Sequence, residues 1–96
     1  MNEVVEAIKR RFSLRDAAQR LGVMLPNRVG PKFRSPFRAD NNPSCNTYWR
    51  GNEERFKDWS RRLDLDCIQF YAQRRGISNS EAIRELSREL PLLFFC

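Results

Sequence analysis

The sequence predicts an α+β domain, a small antiparallel sheet flanked by N-terminal and C-terminal helices. Three observations predict it. Apolar residues recur at spacings of three and four over residues 3–21 and again over 65–90, as helices burying one face require. Over 32–59 they alternate with period two, and Gly51-Asn52 sits between two such runs as hairpin-turn chemistry. With 96 residues, 41% apolar and 31% charged, the chain is expected to form one domain, residues 1–96, with a modest core.

Residues 3–12 read as the first helix, because Val4, Val5, Ile8 and Phe12 share one face. Lys9, Arg10 and Arg11 close it where positive charge suits the helix dipole. Ser13 opens a Ser-x-x-Asp that approximates a capping box, and Leu14, Ala17, Ala18 and Leu21 form the stripe of a second helix ended by Gly22. Val23 to Leu25 is expected as a first strand, followed by a Pro- and Gly-marked loop. In Lys32 to Phe37, the residues Phe33, Ser35 and Phe37 point to one side and Lys32 and Arg34 to the other. Residues 44–50 and 54–59 make two more strands. In the latter Phe56 opposes Arg55, Lys57 and Trp59, while Trp49 is assigned to the core.

After Arg62 the pattern turns helical. Asp64 or Asp66 caps a helix whose inward face is Leu65, Cys67, Ile68, Phe70 and Tyr71, and which ends at Arg74-Arg75-Gly76. Ser78-Asn79-Ser80-Glu81 reads as another capping box, opening a last helix driven by Ala82, Ile83, Leu86 and Leu90 and stopped by Pro91. The apolar tail Leu92 to Cys96 folds back on the core, docks onto a partner, or marks the cut end of a longer protein, and the sequence leaves these open.

Several chemistries are excluded by composition. Histidine is absent, which removes the usual general base and the commonest zinc ligand. Cys45, Cys67 and Cys96 are scattered, with no Cys-x-x-Cys pair and no disulfide framework, so free thiols are expected. There is no cluster of acids for two metal ions, no phosphate loop and no nucleophile with its base, so the chain by itself is not expected to be an enzyme or to carry a cofactor. The run Leu92 to Phe95 is too short to span a bilayer and the N-terminus lacks the pattern of a signal peptide, so no membrane partner and a cytoplasmic location are expected.

The net charge of +6 is concentrated in the middle. Between Arg28 and Arg62 nine basic residues face four acids, and six of the eleven aromatics lie in the same stretch. Cations for phosphates and flat rings for bases therefore occur together.

From Ser35 to Leu86 the chain resembles the N-terminal zinc-binding domain of bacterial DnaG-type primases, a zinc-ribbon family. Ser35-Pro36-Phe37-Arg38 stands for that family's Cys-Pro-Phe-His opening, and Asn42-Pro43-Ser44-Cys45 for its Pro-Ser-Phe. Asp58-Trp59-Ser60-Arg61 stands for the Cys-x-x-Cys that ends the hairpin, and Gly76-Ile77-Ser78 with Glu81-Ala82-Ile83-Arg84-Glu85-Leu86 for the closing turn and helix. All four ligand positions are changed, to Ser35, Arg38, Asp58 and Arg61, and two of these are cations. The resemblance thus implies a zinc-ribbon-like sheet without metal, with Asp58 pairing Arg38, Arg61 or both in place of the ion.

The resemblance further implies DNA replication: a module that binds single-stranded DNA or other nucleic acid, cut from or related to a primase of a phage or mobile element, with a replicative helicase or polymerase subunit as a further partner. Lys32, Arg34, Arg50, Arg55, Lys57, Arg61 and Arg62 are assigned to phosphates, and Tyr48 and Trp59 to base stacking. The alternative is a protein-protein adaptor of a replication complex that kept the scaffold but not the DNA binding. A helix-turn-helix regulator reading DNA with Arg15, Gln19 and Arg20 ranks last, because the second helix offers no dimer seam.

Overall fold

The computed structural model describes residues 3–37 and 42–90. Its elements in chain order are α1 (Glu3–Arg11), α2 (Leu14–Arg20), β1 (Cys45–Arg50), β2 (Glu53–Asp58), β3 (Leu63–Leu65), α3 (Cys67–Arg75) and α4 (Asn79–Ser87). The strands form one antiparallel sheet in the order β1-β2-β3. The α+β class expected from periodicity is therefore observed, with four helices and three strands among the described residues.

The helices begin where their caps lie. Ser13 and Asp66 each accept from the backbone N–H three residues on, and the side chains of Asp16 and Gln69 bond back to the cap N–H. Ser78 accepts from the Glu81 N–H at the start of α4. Helix α3 stops at Gly76, whose left-handed φ of 71° lets its N–H reach back to the carbonyls of Ala72 and Gln73. The hairpin between β1 and β2 turns on Gly51-Asn52 with a positive φ only at Gly51, the requirement of a type II′ turn.

Three expectations need correction. Val23 to Leu25 is not a strand: Val23 donates its N–H to the Ala18 carbonyl, finishing α2, and packs with Leu25 against the core. Within Lys32 to Phe37 only Phe33 pairs, exchanging backbone bonds of 2.8 and 3.0 Å with Cys45. The sheet also continues past residue 59, because Leu65 belongs to β3 rather than to a helix, and Asp66 alone caps α3. Pro91 and the tail Leu92 to Cys96 lie outside the described residues.

The core has two parts. Ile8, Phe12, Ala17, Ile68, Ala72, Ala82, Leu86 and Leu90 fill the space among the helices. Leu14, Ala18, Cys45, Phe56, Leu65 and Phe70 join the sheet to α2 and α3. In the second part Phe56 and Phe70 lie 5.3 Å apart, Phe37 stands edge-on to both at 5.3 and 5.2 Å, and Phe33 adds a tilted contact with Phe56 at 5.9 Å. Each such ring pair contributes about 0.5 to 1.5 kcal/mol beyond the area it buries. Cys45 and Cys67 are buried, and burial pushes the Cys67 thiol up to about 12. Cys96 lies outside the described residues.

Because Phe70 is fully buried between sheet and helices, Phe70→Ala is expected to destabilise the fold by about 3 to 5 kcal/mol in urea unfolding.

Candidate nucleic-acid interface

Strand pairing sorts the side chains of the sheet. Cys45 opposite Asp58, Thr47 opposite Phe56, and Phe56 opposite Leu65 face the helices. Alternation then puts Asn46 beside Lys57, Tyr48 beside Arg55, Arg50 beside Glu53, and Lys57 beside Asp64 on the outer face. Of the nine residues that the sequence assigns to nucleic acid, Tyr48, Arg50, Arg55 and Lys57 lie there. Trp59 follows β2 in the same alternation, and Lys32 and Arg34 flank the bridged Phe33 on exposed positions beside β1. Arg61 and Arg62 are exposed in the turn from β2 to β3.

The face has a wet end and a paired end. At the turn end, the Trp59 ring is 55% exposed and held in place, with its Nε1–H donating to Asn46 Oδ1 at 2.8 Å and the Lys57 ammonium 4.4 Å from the ring centroid. Lys32, Arg34, Arg61 and Arg62 are exposed in the segments next to this end of the sheet and form no ion pair among the described residues. Arg50 stands apart at the hairpin end, about 13 Å further along β1.

Tyr48 and Arg55 are engaged within the protein. The Arg55 guanidinium bonds Asp64 Oδ1 at 2.7 Å and Glu53 Oε1 at 2.8 Å, and the Tyr48 hydroxyl donates to Asp64 Oδ2. Burial pushes the Asp64 carboxyl up, but the Tyr48 hydroxyl and the Arg55 guanidinium outweigh this and hold it below its ordinary value. Burial and the Asp64 carboxylate raise Tyr48, and Arg55 is raised by its carboxylates against its own burial. This trio fixes the face rather than presenting charge on it. Arg15 and Arg20, the residues of the helix-turn-helix reading, are committed in the same way. Arg15 pairs with the buried Glu54 at 3.2 Å, and Arg20 forks onto both oxygens of Glu89.

The positions that the resemblance equates with zinc ligands lie together in part. Ser35, Asp58 and Arg61 line one cavity of about 330 Å³ with Phe37, Leu63 and Gln73. Arg38 lies outside the described residues. The donors there are a hydroxyl, one carboxylate and a guanidinium, which do not fit zinc. Among the described residues no group of three or more His, Cys, Asp or Glu side chains converges as a metal site would need.

Asp58 is 1% exposed, and its Oδ1 accepts from Ser60 N–H at 3.0 Å, Ser60 Oγ–H at 2.8 Å and Arg61 N–H at 3.3 Å. Of the two expected partners, Arg61 meets Asp58 through its backbone N–H, and Arg38 lies outside the described residues. The carboxylate ties down the turn that carries Trp59, Arg61 and Arg62.

Three features were not legible in the sequence. Trp49, assigned to the core, is 58% exposed, because alternation carries it past the edge of the core at the end of β1. Asn46 is the anchor of the Trp59 indole, and Asp64 is the anchor of Tyr48 and Arg55. Cross-strand register was the signal for both anchors: for Asn46 it runs through the β1–β2 hairpin, and for Asp64 it was unreadable without β3.

Two measurements follow from these carboxylates. Asp58→Ala is expected to lower stability by about 1 to 3 kcal/mol, because it removes the buried acceptor that holds the turn after β2, and urea unfolding checks this. Asp64 has a depressed folded value, so its stabilisation is complete above the ordinary 3.8 and is lost as pH falls through the lower folded value. Asp64→Asn is therefore expected to be less stable at neutral pH, with a weaker loss of stability below pH 3.8. Comparison of the chain with protein-family models, with curated proteins and with solved structures gives no match in any of the three.

Proposed function

We propose that the turn end of the outer sheet face binds single-stranded nucleic acid, and that the chain is a zinc-free relative of the primase zinc-binding domain that presents template in DNA replication without being an enzyme itself. The observation that carries this reading is the Trp59 ring, exposed yet held by Asn46 and Lys57, with Lys32, Arg34, Arg61 and Arg62 exposed in the segments next to that end of the sheet. A fixed ring loses little entropy when a base stacks on it, and cations without internal partners gain by releasing counterions from phosphates.

Backbone conformation adds support. Arg62 has φ 56°, a left-handed conformation that costs a non-glycine residue about 1 kcal/mol. An arginine kept where glycine would relax the turn suits a residue retained for its charge. The convergence of Ser35, Asp58 and Arg61 on one cavity supports kinship with a ribbon whose ligands would meet at those positions.

The test is fluorescence anisotropy of labelled oligothymidylate across a salt series. Lys57→Ala is expected to weaken binding to every sequence and to reduce the salt slope by about 0.7. Trp59→Ala is expected to remove about 1 to 3 kcal/mol. Arg62→Gly should melt higher than the parent yet bind less tightly. No detectable binding at low salt would refute the reading.

A further inference from the structure

A second groove, of about 540 Å³, lies between the C-terminal end of α1 and the β1–β2 hairpin. Trp49 forms part of its wall with 58% of its surface exposed, and Arg10, Arg11 and Arg50 line it. The acids that share the lining are already engaged. Asp16 closes the capping box with Ser13, Glu54 is paired with Arg15, and Glu53 is paired with Arg55 and lies 3.8 Å from Lys9. Of the three arginines only Arg10 has a carboxylate partner among the described residues, Glu6 at 3.6 Å on an exposed stretch of α1. Such a pair contributes little and yields readily to a competing anion. The groove therefore offers an uncovered indole and a net excess of available cations, although its formal lining charges nearly balance.

Arg50 links this groove to the face already described, because it lies on the outer side of β1 and also lines the groove. Trp49 and the Trp59 anchor Asn46 are three residues apart on β1, a rise of about 10 Å, and alternation puts them on opposite faces, so a strand joins them by passing around the edge of β1. A single strand covering one can reach the other well within the roughly 4 to 16 nucleotides that such surfaces occupy. We infer that the groove is a second stacking station for the same strand of nucleic acid, with a base on Trp49 and phosphates on Arg10, Arg11 and Arg50. The inference rests on the reading proposed for the outer face and extends its footprint around the hairpin onto α1.

The chain has two tryptophans, so each station can report separately. Trp59→Phe leaves Trp49 as the only indole, and Trp49→Phe leaves Trp59. Each protein is titrated with an oligothymidylate of about 16 nucleotides while its emission is followed. Quenching is expected in both. Adding Arg10→Ala with Arg11→Ala to the Trp59→Phe protein should abolish the Trp49 response or shift it to at least tenfold higher oligonucleotide concentration. In the Trp49→Phe protein the same pair should leave the Trp59 response in place and lower its salt slope by about 1.4, or about 0.7 for each phosphate no longer neutralised. Trp49 emission that stays constant while Trp59 is quenched overturns the second station and leaves the first standing. A Trp49 response unchanged by removal of both arginines also overturns it. Silence of both indoles overturns the two together.

Discussion

Phe70 is the point on which the two halves of the structure depend. Its ring belongs to a helix, yet it meets Phe56 from the sheet and Phe37 from the segment before it at 5.3 and 5.2 Å. This contact dictates the register of β2. A slip by one residue would exchange Phe56 for Arg55 or Lys57 at the buried position and place a charge among rings. The outer face is therefore cationic because the inner face is aromatic, and both follow from one alternation.

That coupling explains what could be read from the sequence. Helices α2, α3 and α4 were legible because each announces its start with its own cap, at Ser13, Asp66 and Ser78, within four residues of chain, and α1 was legible from the spacing of Val4, Val5, Ile8 and Phe12. The hairpin was legible because Gly51-Asn52 is local turn chemistry. Strand β3 was not, because Leu63-Asp64-Leu65 is three residues long and acquires its identity only by pairing with β2. Val23 to Leu25 failed for the reverse reason: a run with strand propensity was taken up by the C-terminal cap of α2. Among the site residues, Lys57 and Trp59 fell on the expected side by alternation alone. The engagement of Arg15, Arg20 and Arg55 depends on carboxylates 39, 69 and 9 residues away, and no local pattern encodes such distances.

Asp58 shows how a loop can be fixed without a metal. Its carboxylate gathers two backbone N–H groups and a hydroxyl from the next three residues, and the Ser44 hydroxyl, from the segment that leads into β1, donates to it at 3.5 Å. The turn after β2 is thereby tied both to itself and to the start of β1.

Helices α2 and α3 each contribute to both parts of the core: Ala17, Ile68 and Ala72 turn toward α1 and α4, while Leu14, Ala18 and Phe70 turn toward the sheet. They act as a partition wall. Repacking among α1 and α4 meets the wall before it meets the strands, so those helices have latitude to drift in sequence while the sheet keeps its shape. At the groove beside Trp49 α1 reaches around that wall, with Lys9 3.8 Å from Glu53 of β2, and there a change in one half meets the other directly.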